Sequence, residues 1–95
     1  IFKNRYSALI QGSSSLENLL RERGIDTILI AGTKTNVCCE STARDAMMLD
    51  FNTVILSDCT AALSDEEHLA TLETMIQQFA DVMTADEALT ALSNE

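Results

Sequence analysis

The chain has 95 residues, with six lysines and arginines against fifteen aspartates and glutamates and a formal charge of −9. That balance excludes a nucleic-acid binder, whose phosphate contacts need basic side chains, and a protein that adheres to anionic membrane surfaces. No apolar run reaches membrane-spanning length and no signal peptide is read. The cysteines at 38, 39 and 59 fall at no zinc-ligand spacing, so free thiols in a reducing cytoplasm are expected.

Ile1 and Phe2 read as the tail of a strand that delivers Lys3 to a loop. Ser14 with Glu17 three residues on forms a capping-box pattern ahead of Leu16, Leu19 and Leu20, which share one helical face, and Gly24 closes that helix. Ile25 to Ala31 is almost continuously apolar and β-branched, the pattern of a strand covered on both faces. Thr35 and Asn36 offer an N-cap to a helix reaching about Leu49, with Ala43, Ala46 and Met47 inward.

A second buried strand is expected over Thr53 to Ser57, ending at Asp58-Cys59-Thr60. Ser64 with Glu67 opens a helix whose Leu69, Leu72, Met75, Ile76 and Phe79 form an apolar stripe. Asp81-Val82-Met83 is a short edge strand, and Thr84 with Glu87 caps a last helix through Leu89 and Leu92. Strands alternating with helices define an α/β fold, a parallel sheet with right-handed crossovers. The pattern opens inside a strand, so residues 1–95 are expected to be the C-terminal part of a single domain.

One junction concentrates the chemistry. Cys38 lies where the strand ending at Ala31 gives way to a helix, and a thiol at a first helical turn meets free N–H groups and the positive end of the helix dipole. Ligands bind at the carboxyl ends of the strands in open parallel sheets. Lys3 also stands at a strand's end, and an ammonium beside a thiol favours the thiolate. The backbone N–H groups of the loop and of Cys38 could stabilise an oxyanion. Cys39 and Cys59 read as core-packing thiols, and His68 as a surface or packing residue.

Three runs in order, Lys3-Asn4-Arg5-Tyr6-Ser7-Ala8, Gly32-Thr33-Lys34-Thr35-Asn36-Val37-Cys38 and Ser41-Thr42-Ala43-Arg44-Asp45-Ala46, resemble the C-terminal half of the isochorismatase-like cysteine hydrolases. That group includes nicotinamidases, N-carbamoylsarcosine amidases, ureidoacrylate amidohydrolases and biuret hydrolases. The resemblance implies a three-layer α/β/α fold and an Asp-Lys-Cys catalytic set, with Cys38 as nucleophile and Lys3 as the lysine. The family aspartate has no counterpart among these residues. The resemblance further implies a cis peptide at Thr33–Lys34, an oxyanion hole from the N–H groups of Lys34 and Cys38, and Tyr6 and Asn36 beside the substrate.

The implied reaction is hydrolysis of the C–N bond of a small amide, carbamoyl or ureido compound through a Cys38 thioester. The wording of the motifs leans towards the ureido and carbamoyl branch. No metal or cofactor is implied for this chain, and a homo-oligomer is. Leu9, where an aromatic usually follows Ser-Ala, is expected to alter a pocket wall. Lys34, Cys39, Asp50 and Cys59 also depart from the family's usual residues. Two other readings stand beside this one: a catalytically incompetent fragment or pseudoenzyme serving as an assembly module, and a redox-sensing thiol at Cys38 with Cys39.

Overall fold

A helical crossover lets successive apolar β-branched segments pair side by side in parallel, and in the computed structural model, which describes residues 2–93, they do so. The elements are α1 (Leu16–Glu22), β1 (Thr27–Thr33), a π-helical turn (Thr35–Cys39), α2 (Glu40–Met48), β2 (Asn52–Ala61), α3 (Asp65–Gln78), β3 (Asp81–Met83) and α4 (Ala85–Ser93). The sheet has the order β1-β2-β3 and both pairings are parallel, the α/β class expected. Of the strand tail read at the start, Ile1 lies outside the described residues. Phe2 belongs to no strand and is 97% exposed.

Two apolar clusters hold the elements together. Ile30 of β1, Ile55 of β2, Cys39 of the π-helical turn, Ala43 of α2 and Met75 of α3 are buried as one group, with Ile28, Leu72, Phe79 and Val82 against it. Leu9, Ala46 and Phe51 form the other, joined by Leu16, Leu20 and Leu49, so that α1 and the loop before it pack against α2. Arg21 reinforces this join. Its guanidinium stacks 4.1 Å from the Phe51 ring centroid and donates to the carbonyl of Leu49 at the end of α2.

Helix ends follow local chemistry. Gly24, at φ +68°, closes α1 with Gly24 N–H on Arg21 O (3.1 Å) and Ile25 N–H on Leu20 O (3.0 Å), the paired bonds of a Schellman motif. The same pair ends α2, where Asp50 occupies the left-handed position at φ 69° and Phe51 N–H reaches Ala46 O at 2.9 Å. Thr84 and Glu87 form a reciprocal capping box, and Asp58 Oδ1 takes the N–H of Ala85 at 2.9 Å. Ser64 accepts from Glu67 N–H as expected.

Several sequence expectations are corrected. Ser14 is not the N-cap of α1; Ser15 is, without a side-chain bond. Ser14 Oγ instead accepts from Leu16 N–H and donates to Ala8 O. Neither Thr35 nor Asn36 caps the helix that follows β1, because the chain enters it through a π turn whose flanking residue is Lys34. β2 runs on to Ala61, its register with β1 jumping from Ile30–Ile55 to Gly32–Thr60, so residues 57–59 bulge out between paired stretches. β1 alternates rather than burying both faces: Ile30 is core while Leu29 is 42% exposed. The α3 stripe also divides, with Leu72, Met75 and Phe79 on the core and Leu69 and Ile76 about 60% exposed. Cys59 is exposed at the rim of the bulge, its Sγ 3.7 Å from Asp58 Oδ1, and packs in no core.

Candidate active site

The carboxyl end of β1 leads through Gly32 and Thr33 into the turn that carries Cys38. The Thr33–Lys34 peptide is cis. Lys34 O accepts from the N–H groups of Val37 (3.2 Å) and Cys39 (3.1 Å), the two residues flanking Cys38. Cys38 is half-buried, whereas Cys39 points into the core and is 4% exposed. Burial, and after it the neighbouring Cys38, push the Cys39 thiol above its ordinary value of 9.0. Both residues line the same cleft, but the turn leaves Cys38 partly open and packs Cys39 into the core.

Lys3 comes to Cys38 from the other end of the sequence. Residues 3–14 form a loop closed by Asn4 N–H on Ser13 O (3.2 Å) and Ser13 Oγ on Ser7 O (2.6 Å). Ala8 N–H donates to Thr42 Oγ1 at 3.1 Å, which ties this loop to α2. Lys3 Nζ donates to the carbonyls of Arg5 (2.8 Å) and Tyr6 (3.3 Å), and these acceptors hold it 3.9 Å from Cys38 Sγ. Two carbonyls aim one ammonium at one sulfur.

Lys3 and Cys38 share a cleft of about 310 Å³ with Tyr6, Thr42, Thr33 and the β1 residues Ile28 to Gly32. Its lining combines a few polar side chains with apolar strand residues, the usual make-up of a small-molecule site. Tyr6 lines the cleft and is 67% exposed. Asn36 does not line it; its Oδ1 is buried without a hydrogen-bond partner among the described residues. Lys34 is exposed and outside the lining. Leu9, expected to alter a pocket wall, is 4% exposed in the cluster with Ala46 and Phe51 and forms no part of this cleft.

Three residues at or behind the site have connections that the sequence reading did not assign them: Thr35 was read as a helix cap, His68 as a surface or packing residue, and Thr42 only as part of a motif. Thr42 joins the lysine loop to the cysteine helix. Thr35, wholly buried, places Oγ1 2.8 Å from His68 Nδ1, and His68 Nε2 stands 3.1 Å from Ser57 O. The only available signal was the threonine three residues before Cys38, which reads as a cap until the π turn is known.

With a strand-end cysteine, a converging lysine and this sheet in view, comparison with known proteins is decisive. Residues 1–87 match the isochorismatase domain, and the chain belongs to the isochorismatase family. It is 41% identical over 92 residues to the isochorismatase family protein YecD of Escherichia coli O157:H7, covering 97% of this chain and 48% of that protein. It is 35% identical to Nicotinamidase 3 of Arabidopsis thaliana, over 90% of this chain and 42% of that one. The crystal structure of an isochorismatase-like hydrolase from Alkaliphilus metalliredigens superposes with a TM-score of 0.87 at 38% identity, covering 95% of this chain and 48% of the other. The chain spans about half the length of the curated relatives it matches. Among the described residues no helix is long and apolar enough to cross a membrane.

Proposed function

We propose that this chain is the C-terminal part of a single isochorismatase-like domain and carries two of its catalytic groups, Cys38 and Lys3. The enzyme is then a cysteine amidohydrolase acting on the C–N bond of a small amide, carbamoyl or ureido compound. The observation that carries this reading is the 3.9 Å approach of Lys3 Nζ to Cys38 Sγ in a cleft at the end of β1. Similarity to a nicotinamidase supports amide chemistry over other hydrolysis.

In the reaction, the family aspartate, which these residues do not supply, takes the thiol proton. Cys38 Sγ then attacks the carbonyl carbon while the Lys3 ammonium stabilises the thiolate. Negative charge developing on the carbonyl oxygen is met by the N–H groups of Lys34 and Cys38. The tetrahedral adduct collapses, the amine leaves with the proton from the aspartate, and water cleaves the thioester to release acid and thiol. Tyr6 contributes a wall of the substrate site, and Asn36 lies behind the turn with no substrate contact required of it. The working protein is a homo-oligomer in the cytoplasm and needs no nucleic-acid partner.

The test is turnover of the full-length protein on a panel of primary amides, carbamoyl and ureido compounds. Cys38→Ser should abolish release of ammonia or amine, and Lys3→Met should reduce it at least about a hundredfold. Turnover by Cys38→Ser at the parent rate would sink the reading.

A further inference from the structure

Thr35 opens the turn that presents Cys38, and its side chain is completely buried. A buried hydroxyl must find a partner, and here the partner is Nδ1 of His68 at 2.8 Å. The other ring nitrogen, Nε2, faces the carbonyl oxygen of Ser57 at 3.1 Å. A carbonyl can only accept, so Nε2 carries the proton. Nδ1 then offers a lone pair, and the Thr35 hydroxyl donates to it. For a neutral ring, these two partners select a single tautomer.

The location gives this bridge a purpose. Ser57 stands in the bulge of β2, where the ladder with β1 breaks between Ile55 and Thr60, so its carbonyl is free to receive the ring. Lys34, at the entry of the turn, makes no side-chain cap, and Asn36 Oδ1 bonds to nothing among the described residues. Thr35 therefore supplies the side-chain tether at the start of the segment, three residues before the thiol. We propose that His68 is a positioning residue for Cys38: as a neutral ring protonated on Nε2, it ties the turn that carries the thiol, through Thr35, to the bulge of β2. His68 touches neither substrate nor sulfur in this scheme. It acts through Thr35 and rests on the reading of Cys38 as nucleophile.

The test uses the full-length protein, its hydrolysis of the best substrate on the amide panel, and the rate at which iodoacetamide alkylates Cys38. His68→Leu removes both bonds. His68→Gln keeps one donor and one acceptor on a flat amide and should rescue. Misplacing a nucleophile by about an ångström costs up to roughly a hundredfold, so kcat for His68→Leu should fall roughly ten- to a hundredfold while KM stays within about threefold. His68→Gln should return kcat to within about threefold of the parent, and Thr35→Val combined with His68→Leu should be no worse than the single variant.

A His68→Leu kcat within about twofold of the parent would overturn the proposal, as would equal losses in the Leu and Gln variants. Should His68→Leu not fold, Thr35→Ser against Thr35→Val makes the same comparison. Nitrogen-15 spectra of the unsubstituted protein supply a test independent of variants: a proton on Nε2 is expected, and one on Nδ1 contradicts the clamp. Cys38→Ser, measured alongside, separates the two claims. If it keeps full turnover, the nucleophile reading falls, and the clamp is judged on the alkylation rates and the ring tautomer.

Discussion

Neighbouring thiols at 38 and 39 have the same chemistry and opposite surroundings. Cys39 is held in the core, where burial and then the Cys38 charge keep its proton on past the ordinary value of 9.0. Iodoacetamide near pH 8 should therefore label Cys38 and the exposed Cys59 well before Cys39, a ranking that peptide mass mapping reads directly. The sign for stability follows. The folded state holds a proton that the unfolded chain releases, so this contribution is intact below about pH 9 and is lost as pH climbs through the raised value. Denaturant titrations between neutrality and strongly alkaline pH should show stability falling over that window.

At the same scale, Lys3→Met should slow Cys38 alkylation roughly three- to tenfold without altering Cys59. Cys38 was legible because a thiol at a strand-to-helix junction carries its own chemical meaning. Lys3 was legible only through the resemblance of residues 3–8 to the family motif, since chemistry alone could pair any lysine with the thiol; it lies in no strand, and the fold sets its Nζ 3.9 Å from Cys38 Sγ. Thr35 and His68 were not legible. Capping logic assigns Thr35 to a helix start, and nothing in a linear string brings a histidine 33 residues away to its hydroxyl.

Among the elements, the ends of helices carry the sharpest expectations. Thr84 satisfies the Glu87 N–H and receives the Glu87 carboxylate in return, so Thr84→Ala should cost about 1 kcal/mol in denaturant unfolding. Asp50 holds a left-handed φ of 69° at the end of α2, a place glycine fills without a Cβ clash. Asp50→Gly should stabilise the fold by about 0.5–1 kcal/mol, and a loss instead would show that the aspartate side chain makes up for its backbone. Thr42 joins the lysine loop to α2, so Thr42→Val strands the Ala8 N–H and should slow turnover more than it lowers stability. The capping boxes at Ser64 and Thr84 were readable because their partners are three residues away. The Ser14 box failed because the loop before α1 folds back and takes Ser14 Oγ for Ala8 O. The π turn was unreadable because no local pattern distinguishes it from a first α turn.

Across the whole molecule, the alternation of strand and helix made the parallel sheet legible, and periodicity identified most of the core. What it misjudged is which apolar residues the described part of the protein covers. Leu29 on β1, Leu69 and Ile76 on α3, and Leu89 and Leu92 on α4 keep large exposed surfaces. Periodicity records that a face is apolar but not what lies against it, and the relatives this chain matches are about twice its length. The cleft shows the same dependence: Lys3, Cys38 and the cis Thr33–Lys34 peptide sit together at the end of β1, while the proposed proton acceptor must be brought to them.

Covalent capture tests that arrangement most directly. The full-length protein would be mixed with each member of the amide and ureido panel, quenched in acid within the turnover time, and its intact mass and peptides measured. An acyl adduct on Cys38 that is absent from Cys38→Ser, and that disappears as product forms, is the expected result. Continued turnover with no adduct on Cys38, or an adduct confined to Cys39 or Cys59, would contradict the assignment of Cys38 as the nucleophile.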